Sequence, residues 1–183
     1  DLGTLTLNAL SILYETMIGR TPQFFEFISI RAEGVFRQFK NKSFETENLY
    51  RLKKFVNRTP RRNEAGEISK IFHDILRYRI ERDLINGKLE VKDLQDRWNA
   101  ESKELLGIEP TTLRDGVIQN PDWFTGRFGF IPTNTLSHII AAQLQDTYFE
   151  TVDDMKSDIR EGNFRQLSQW ISENIHAKGR SQN

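Results

Sequence analysis

The chain has 183 residues, 26 basic and 26 acidic side chains, 37% hydrophobic residues and no cysteine. This length suits one domain with its own core, or one part of a larger domain. The lack of cysteine excludes disulfides, thiolate metal sites and cysteine nucleophiles. A net charge of zero argues against a protein that coats nucleic acid or an anionic membrane. No apolar stretch approaches the ~18 to 20 residues that span a bilayer, so we expect a soluble, cytoplasmic chain.

The first part of the chain predicts helices with clear start and stop signals. Apolar residues three and four apart predict an amphipathic first helix, which Gly19 ends. Thr21 directly before Pro22 is typical of a helix start. Either Ser43 or Thr46 would cap the following helix. The predicted helices cover residues 5–18, 22–40 and 43–56.

The middle of the chain begins with a basic connector, residues 57–63. The strongest helical pattern follows it, with one apolar stripe over residues 68–86 and Gly87 as its C-terminal stop. A further helix is expected from about Val91 to Leu106, ended by Gly107. We expect residues 108–132, which contain several prolines and glycines without a sustained period, to form a long ordered loop.

The last part of the chain is again periodic. Thr133 caps a predicted helix that runs to about Glu150, and shorter helices are expected over residues 152–161 and 164–178. No alternating β-branched run occurs anywhere in the sequence, so the predicted fold class is all-α.

Local motifs for catalysis or metal binding are absent. The histidines His73, His138 and His176 lie on different predicted helices without the short spacing of a zinc site. The sequence has neither a G-x-S-x-G elbow nor a glycine-rich phosphate loop. The basic cluster at 58–62 could be a solvated connector, a nucleic-acid contact or an arginine that binds a carboxylate. Composition and spacing alone indicate a soluble helical domain of unknown role.

A series of collinear segments nevertheless resembles a known family. They include RNEAGEIS at 62–69, HDILRY at 73–78 and GRFGFIPT at 126–133. In order and spacing they resemble the C-terminal part of the thermostable (Taq-type) carboxypeptidases, a family of HExxH zinc metallopeptidases. The remaining matching segments are 84–89, 91–94, 98–99, 116–119, Trp123, 141–143 and 174–176.

The resemblance implies a helical peptidase that removes single residues from peptide C-termini. In the family, HExxH supplies two zinc ligands and the general base, and a glutamate in a later H-E-S-(Q/G) motif supplies the third ligand. The implied fold for residues 1–183 is a single helical domain, the C-terminal lobe of an HExxH carboxypeptidase-like fold. That domain is partial relative to the family, because the part with HExxH is absent.

Several family motifs are altered within the chain itself. The third-ligand glutamate is aligned with Asn8, a neutral amide. The family's Ala-Asp pair appears as Ala65-Gly66, and its G-x-x-Q-D-x-H-W motif appears at 116–123 without the aspartate and the histidine. A tyrosine near Gly129 is replaced by Phe130. We therefore expect no catalytic residue and no metal in this chain, with Asn8 as a degenerate ligand position.

The retained polar residues are candidates for peptide binding. Arg62 is the predicted ligand for a peptide carboxylate, with His73, Arg77 and Gln119 as further members of the site. An equally open interpretation is that these side chains only tie helices together. The leading hypothesis is thus an inactive carboxypeptidase-like scaffold that binds a peptide C-terminus or a protein partner.

Two other hypotheses come from different classes. The chain could be part of an active zinc metallocarboxypeptidase, completed by an N-terminal half or another subunit that carries HExxH. It could also be a structural subunit whose apolar first helix packs against an active paralogue, or form a homodimer. Neither nucleic acid nor a membrane is an expected partner.

Overall fold

The computed structural model describes residues 3–36, 42–55, 57–119 and 121–179. These residues are helical with irregular connections and contain no β-strand, which confirms the all-α prediction. None of the helices in these ranges is both long enough and apolar enough to cross a bilayer. The helices are α1 (Gly3–Ile12), α2 (Pro22–Val35), α3 (Thr46–Lys54), α4 (Glu67–Ile85), α5 (Leu94–Leu106), α6 (Pro121–Phe124), α7 (Pro132–Thr151), α8 (Met155–Glu161) and α9 (Arg165–Ile171).

Several predicted helix boundaries agree with the structure. The side chain of Thr21 caps α2 by accepting a hydrogen bond from the backbone N–H of Phe24 at 3.2 Å. Gly87 and Gly107 follow α4 and α5 in the left-handed region, with φ of 67° and 69°. Leu13–Ile18 continues α1 as a π-helix, and Ser172–His176 continues α9 in the same way. Both additions lie within the predicted spans.

The second helix is shorter than predicted. It ends at Val35, whereas the sequence indicated about Lys40. Gly34 weakens the helix near this end, and the Phe36 ring stacks on Phe44 with centroids 5.0 Å apart. Residues 37–40 of the predicted second helix lie outside the described ranges, as does Val56 at the predicted end of the third helix.

The predicted loop at 108–132 contains short helical turns. Val117–Gln119 is a 3-10 turn, and Pro121–Phe124 forms α6. Four-residue segments are too short to show a helical period, and for that reason the pattern of spacing did not reveal α6.

The chain folds into two compact units. One consists of the residues up to Lys54 together with those from Leu136 onward, and the other is Phe55–Thr135. We call them the terminal unit and the central unit. The single-domain organisation expected for residues 1–183 stays a prediction.

The terminal unit has an apolar core. Among its most buried side chains are Leu13, Tyr148, Ile159 and Ile171. The Gln145 side chain donates a hydrogen bond from Nε2 to the carbonyl of Met17 at 2.9 Å, within the π-helical turn. Such turns leave backbone groups outside the regular α-helical pattern, and a side chain from α7 here binds one of them.

The central unit is built on the packing of α4 against α5. Its apolar core contains Leu76, Ile80, Trp98 and Val117. The rings of Trp98 and Trp123 meet edge to face with centroids 5.7 Å apart. This core supports a buried polar face of α4, on which two of the four candidate site residues, His73 and Arg77, lie.

Candidate functional site

One face of α4 carries charged and polar side chains that are almost fully buried. Asp74, Arg77 and Glu81 follow one another three and four residues apart, and His73 lies four residues before Arg77. All four expose between 1% and 4% of their surface. The purely apolar stripe expected for this helix is therefore wrong in part, because Phe72 is exposed on α4 while these polar groups are inside. A buried charge requires partners, so the contacts of each group define the site.

Arg62 is bound to Asp74 through two hydrogen bonds. Its Nε donates to Oδ1 at 2.6 Å and its Nη2 donates to Oδ2 at 3.2 Å. The hydroxyl of Thr135 also donates to Oδ2, at 3.4 Å. This bidentate geometry is the strong form of an arginine–carboxylate pair. It fixes the connector before α4 against the middle of that helix.

Gln119 holds two loops together through all of its hydrogen-bonding groups. Its Oε1 accepts from the backbone N–H of Arg62 at 2.9 Å, and its Nε2 donates to the carbonyls of Pro60 and Asp115 at 2.8 and 2.9 Å. With this amide orientation both ends of the side chain are satisfied. Gln119 therefore positions Arg62.

His73 is a neutral, buried histidine. Its Nε2 lies 3.0 Å from the carbonyl oxygen of Thr59, which can only accept, so Nε2 carries the proton. Its Nδ1 is buried without a hydrogen-bond partner among the described residues. Burial lowers the pKa of His73 to about 4, from an ordinary 6.5. The ring is thus uncharged at neutral pH.

Glu81 fixes the segment that follows α6. One carboxylate oxygen accepts from the indole Nε1 of Trp123 at 2.6 Å, and the other accepts from the backbone N–H of Gly129 at 2.8 Å. Sequence reasoning missed both Asp74 and Glu81. The signal available for them was their spacing with His73 and Arg77, which places all four on one helix face.

Arg77 differs from its neighbours on the helix. Its side chain makes no hydrogen bond or ion pair with any residue that the structure describes, and its Nε is buried without a partner. The guanidinium lies 5.8 Å from the centroid of the Trp98 ring. Burial lowers the pKa of Arg77 to about 10, which leaves it charged at neutral pH.

A cavity of about 280 Å³ opens beside Arg77 within the central unit. Both Arg77 and Gln119 line it, so it adjoins the groups that the sequence singled out. The structure thereby brings Arg62, His73, Arg77 and Gln119 into one polar cluster, and their role in ligand binding stays a prediction. The lining residues are Arg61, Asn63, Glu64, Arg77, Arg114, Ile118 and Gln119.

The described residues do not fit a zinc ion. Nowhere in the described ranges do three histidine or carboxylate side chains come together closely enough to hold a metal. Asn8 is half-buried on α1, in the terminal unit, and offers a neutral amide where zinc prefers nitrogen, thiolate or carboxylate ligands. Phe130 has no hydroxyl, and its ring lies 4.5 Å below the guanidinium of Arg127. Asn120 lies outside the described residues.

The family model and the individual relatives that match this chain point to the same family. The family model of the carboxypeptidase Taq (M32) metallopeptidases matches residues 8–183. Carboxypeptidase 1 of Bacillus subtilis is 31% identical over 171 residues, which are 93% of this chain and 34% of that protein. Thermostable carboxypeptidase 1 of Pyrococcus furiosus is 30% identical over 169 residues, 92% of this chain and 34% of that protein. The chain thus spans about a third of the length of these relatives.

The fold agrees with a solved structure of the same kind. Metallocarboxypeptidase 1 of Trypanosoma cruzi superposes with a TM-score of 0.93 at 29% identity. The superposition covers 100% of this chain and 38% of the other. It confirms the expected carboxypeptidase-like fold.

Proposed function

Because the chain belongs to the carboxypeptidase Taq (M32) metallopeptidase family, we propose that it is a non-catalytic member, a scaffold that binds a peptide or protein partner. The proposal concerns the chain as it stands, which spans about a third of its curated relatives. It includes a cytoplasmic location and the absence of a bound metal. The candidate binding residues are Arg62, His73, Arg77 and Gln119.

The observation that carries this proposal is the contrast between the retained polar cluster and the altered metal-ligand position. Two members of the polar cluster in the central unit, Arg62 and Gln119, are held by several hydrogen bonds each. The position aligned with the third zinc ligand holds Asn8, and the described residues contain no metal-binding group of side chains. Loss of a charged metal ligand removes several kcal/mol of transition-state stabilisation on the usual order-of-magnitude scale. Binding does not depend on that stabilisation.

A second candidate function is part of an active zinc carboxypeptidase. The observation that favours it is the coverage of the relatives, since two thirds of their length lies outside the match. In this version an N-terminal half or another subunit supplies HExxH and the metal chemistry. The partner of the scaffold version would be a peptide C-terminus, such an N-terminal half, a paralogue or a second copy of the chain.

Peptide binding and peptide hydrolysis separate the two functions. We expect short peptides with a free C-terminus to bind the purified chain in calorimetric titrations, and the same peptides with an amidated C-terminus to bind at least about tenfold more weakly. Mass spectrometry of the incubated peptides should show no shortened product. Equal binding of both forms would contradict the carboxylate-binding scaffold, and zinc-dependent trimming would establish the enzyme.

A further inference from the structure

We propose that the cavity beside Arg77 is a carboxylate-binding site, in which Arg77 binds from the interior and Arg114 from the rim. The inference rests on the proposed binding function and specifies which side chains contact the ligand. The sequence had singled out Arg62 for this role. In the structure Arg62 is committed to Asp74 through two hydrogen bonds, so it is a positioning residue instead.

The burial of Arg77 without a partner is the main observation. Its side chain is 4% exposed, and it makes neither a hydrogen bond nor an ion pair to a described residue. The other buried charged side chains in the described ranges all have such contacts; they are Asp74, Glu81, Asp83 and Glu101. Nearby carboxylates act on this charge only through space. Because a buried charge without a direct partner is costly, an anion in the adjoining cavity would stabilise it.

Three carboxylates act electrostatically on Arg77, those of Asp74, Asp122 and Glu81, and each has another partner. Asp122 forms an ion pair with Arg127 at 3.6 Å. Asp74 accepts two hydrogen bonds from Arg62, and Glu81 accepts from Trp123 and Gly129. The positive charge of Arg62 adds to burial in lowering the pKa of Arg77. The internal network therefore leaves the guanidinium of Arg77 available for an external acceptor.

The rim of the cavity contributes a second available arginine. Arg114 is exposed and has no hydrogen-bond or ion-pair partner among the described residues. Arg61, by contrast, donates to Asp115 at 2.6 Å and to Glu64 at 2.9 Å. Two guanidinium groups with free donors, one buried and one exposed, thus line the same cavity.

The size of the cavity and the shape of the guanidinium group favour a small carboxylate as the ligand. Its volume of about 280 Å³ corresponds to roughly ten water molecules at about 30 Å³ each, enough for one acyl amino acid. A guanidinium matches a carboxylate with two parallel hydrogen bonds. The carboxylate can come from a peptide C-terminus or from an acidic side chain of a partner.

Small probes test the site directly. We expect N-acetylglycine to cause saturable shifts in the ¹H–¹⁵N NMR spectrum of the intact chain, including the Nε–Hε signal of Arg77, and N-acetylglycinamide to cause none. N-acetylaspartic acid α-amide, which has only a side-chain carboxylate, identifies an acidic side chain as a source if it binds as well as N-acetylglycine. Tighter binding of inorganic phosphate than of both carboxylates would overturn the assignment.

Substitutions of Arg77 and Arg114 test whether these side chains bind the carboxylate. Arg114→Gln should weaken N-acetylglycine binding about tenfold, corresponding to the loss of one charged hydrogen bond, and Arg77→Lys should weaken it at least as much. The matched control is Arg165→Gln, an exposed arginine of the terminal unit, which should bind like the unaltered chain. If Arg77→Lys does not fold, Arg114→Gln decides the test, because its exposed side chain makes no internal hydrogen bond or ion pair with the described residues. Unchanged affinity in Arg114→Gln would overturn the proposal.

The outcome also separates this inference from the proposed function. If N-acetylglycine binds in an Arg114-dependent way and no longer peptide binds, the carboxylate site stands and the peptide-binding scaffold fails. If peptides bind and neither arginine substitution affects them, the scaffold stands and the carboxylate site fails.

Discussion

The buried face of α4 shows how position changes the chemistry of ordinary side chains. His73 is uncharged, Asp74 is paired and Arg77 is charged without a partner, although the three lie within five residues of one another. The sequence identified His73, Arg77, Arg62 and Gln119 as candidates. It could not identify their partners, because Gln119 is 57 residues from Arg62 and only folding brings them together.

Stability should depend on pH through His73. Because burial lowers its pKa from 6.5 to about 4, the unfolded state binds the proton more tightly than the folded state between these values. The contribution of His73 to stability is therefore complete above about pH 6.5 and is lost as the pH falls toward 4. The loss should reach about 3 kcal/mol, at 1.36 kcal/mol per pKa unit. Urea unfolding at pH values from 4 to 8 measures it.

The control for this experiment is a pair of histidine substitutions. His73→Gln should lower stability at pH 7 and flatten the decrease between pH 6.5 and 4, since glutamine does not titrate. His176→Gln should leave the decrease unchanged, because His176 is exposed. A pH dependence in His73→Gln as steep as in the unaltered chain would show that His73 is not the titrating group.

Helix ends were more predictable than the connections between helices. Gly87 and Gly107 were expected to terminate helices, and each has a positive φ at that place. A residue without Cβ adopts this conformation at little cost, so the signal is local and can be read from the sequence. The early end of α2 and the short α6 depend on particular packing contacts and turns, which leave no periodic pattern.

The glycine after α8 also carries a packing constraint. Gly162 has a φ of 74°, and Asn163 donates its backbone N–H to the carbonyl of Asp158 at 2.8 Å, as in a Schellman motif. A Cβ at this position would overlap the ring of Phe27. Gly162→Ala should therefore destabilise the chain by about 2 to 4 kcal/mol, the sum of backbone strain and overpacking. Urea unfolding gives the change in free energy.

Gly87→Ala is the matched control, because it measures the cost of backbone strain without overpacking. Gly87 follows α4 with a similar φ of 67°, but no neighbouring atom lies within 4 Å of the place that a Cβ would occupy. This substitution should cost only about 1 to 2 kcal/mol. Adding Phe27→Leu to Gly162→Ala should recover part of the steric cost. Equal costs for the two glycine substitutions would contradict the packing contact.

At the scale of the whole molecule, the fold could be predicted from the sequence, whereas part of the chemistry of the site could not. Helical spacing predicted the all-α fold, and the resemblance on short collinear segments identified the family. Glycines, tryptophans and helix faces, which define the scaffold, carry both signals. The altered motif positions were equally visible in the sequence. The available arginine was not, because the paired state of Arg62 and the unpaired state of Arg77 depend on distances between side chains.

Zinc binding by the purified chain tests the central claim most directly. The proposal holds that Asn8 and the other described residues do not assemble a metal site. After incubation with zinc and exhaustive dialysis, elemental analysis should find far less than one zinc ion per chain. Retention of one ion per chain, lost in the Asn8→Ala variant, would contradict the account.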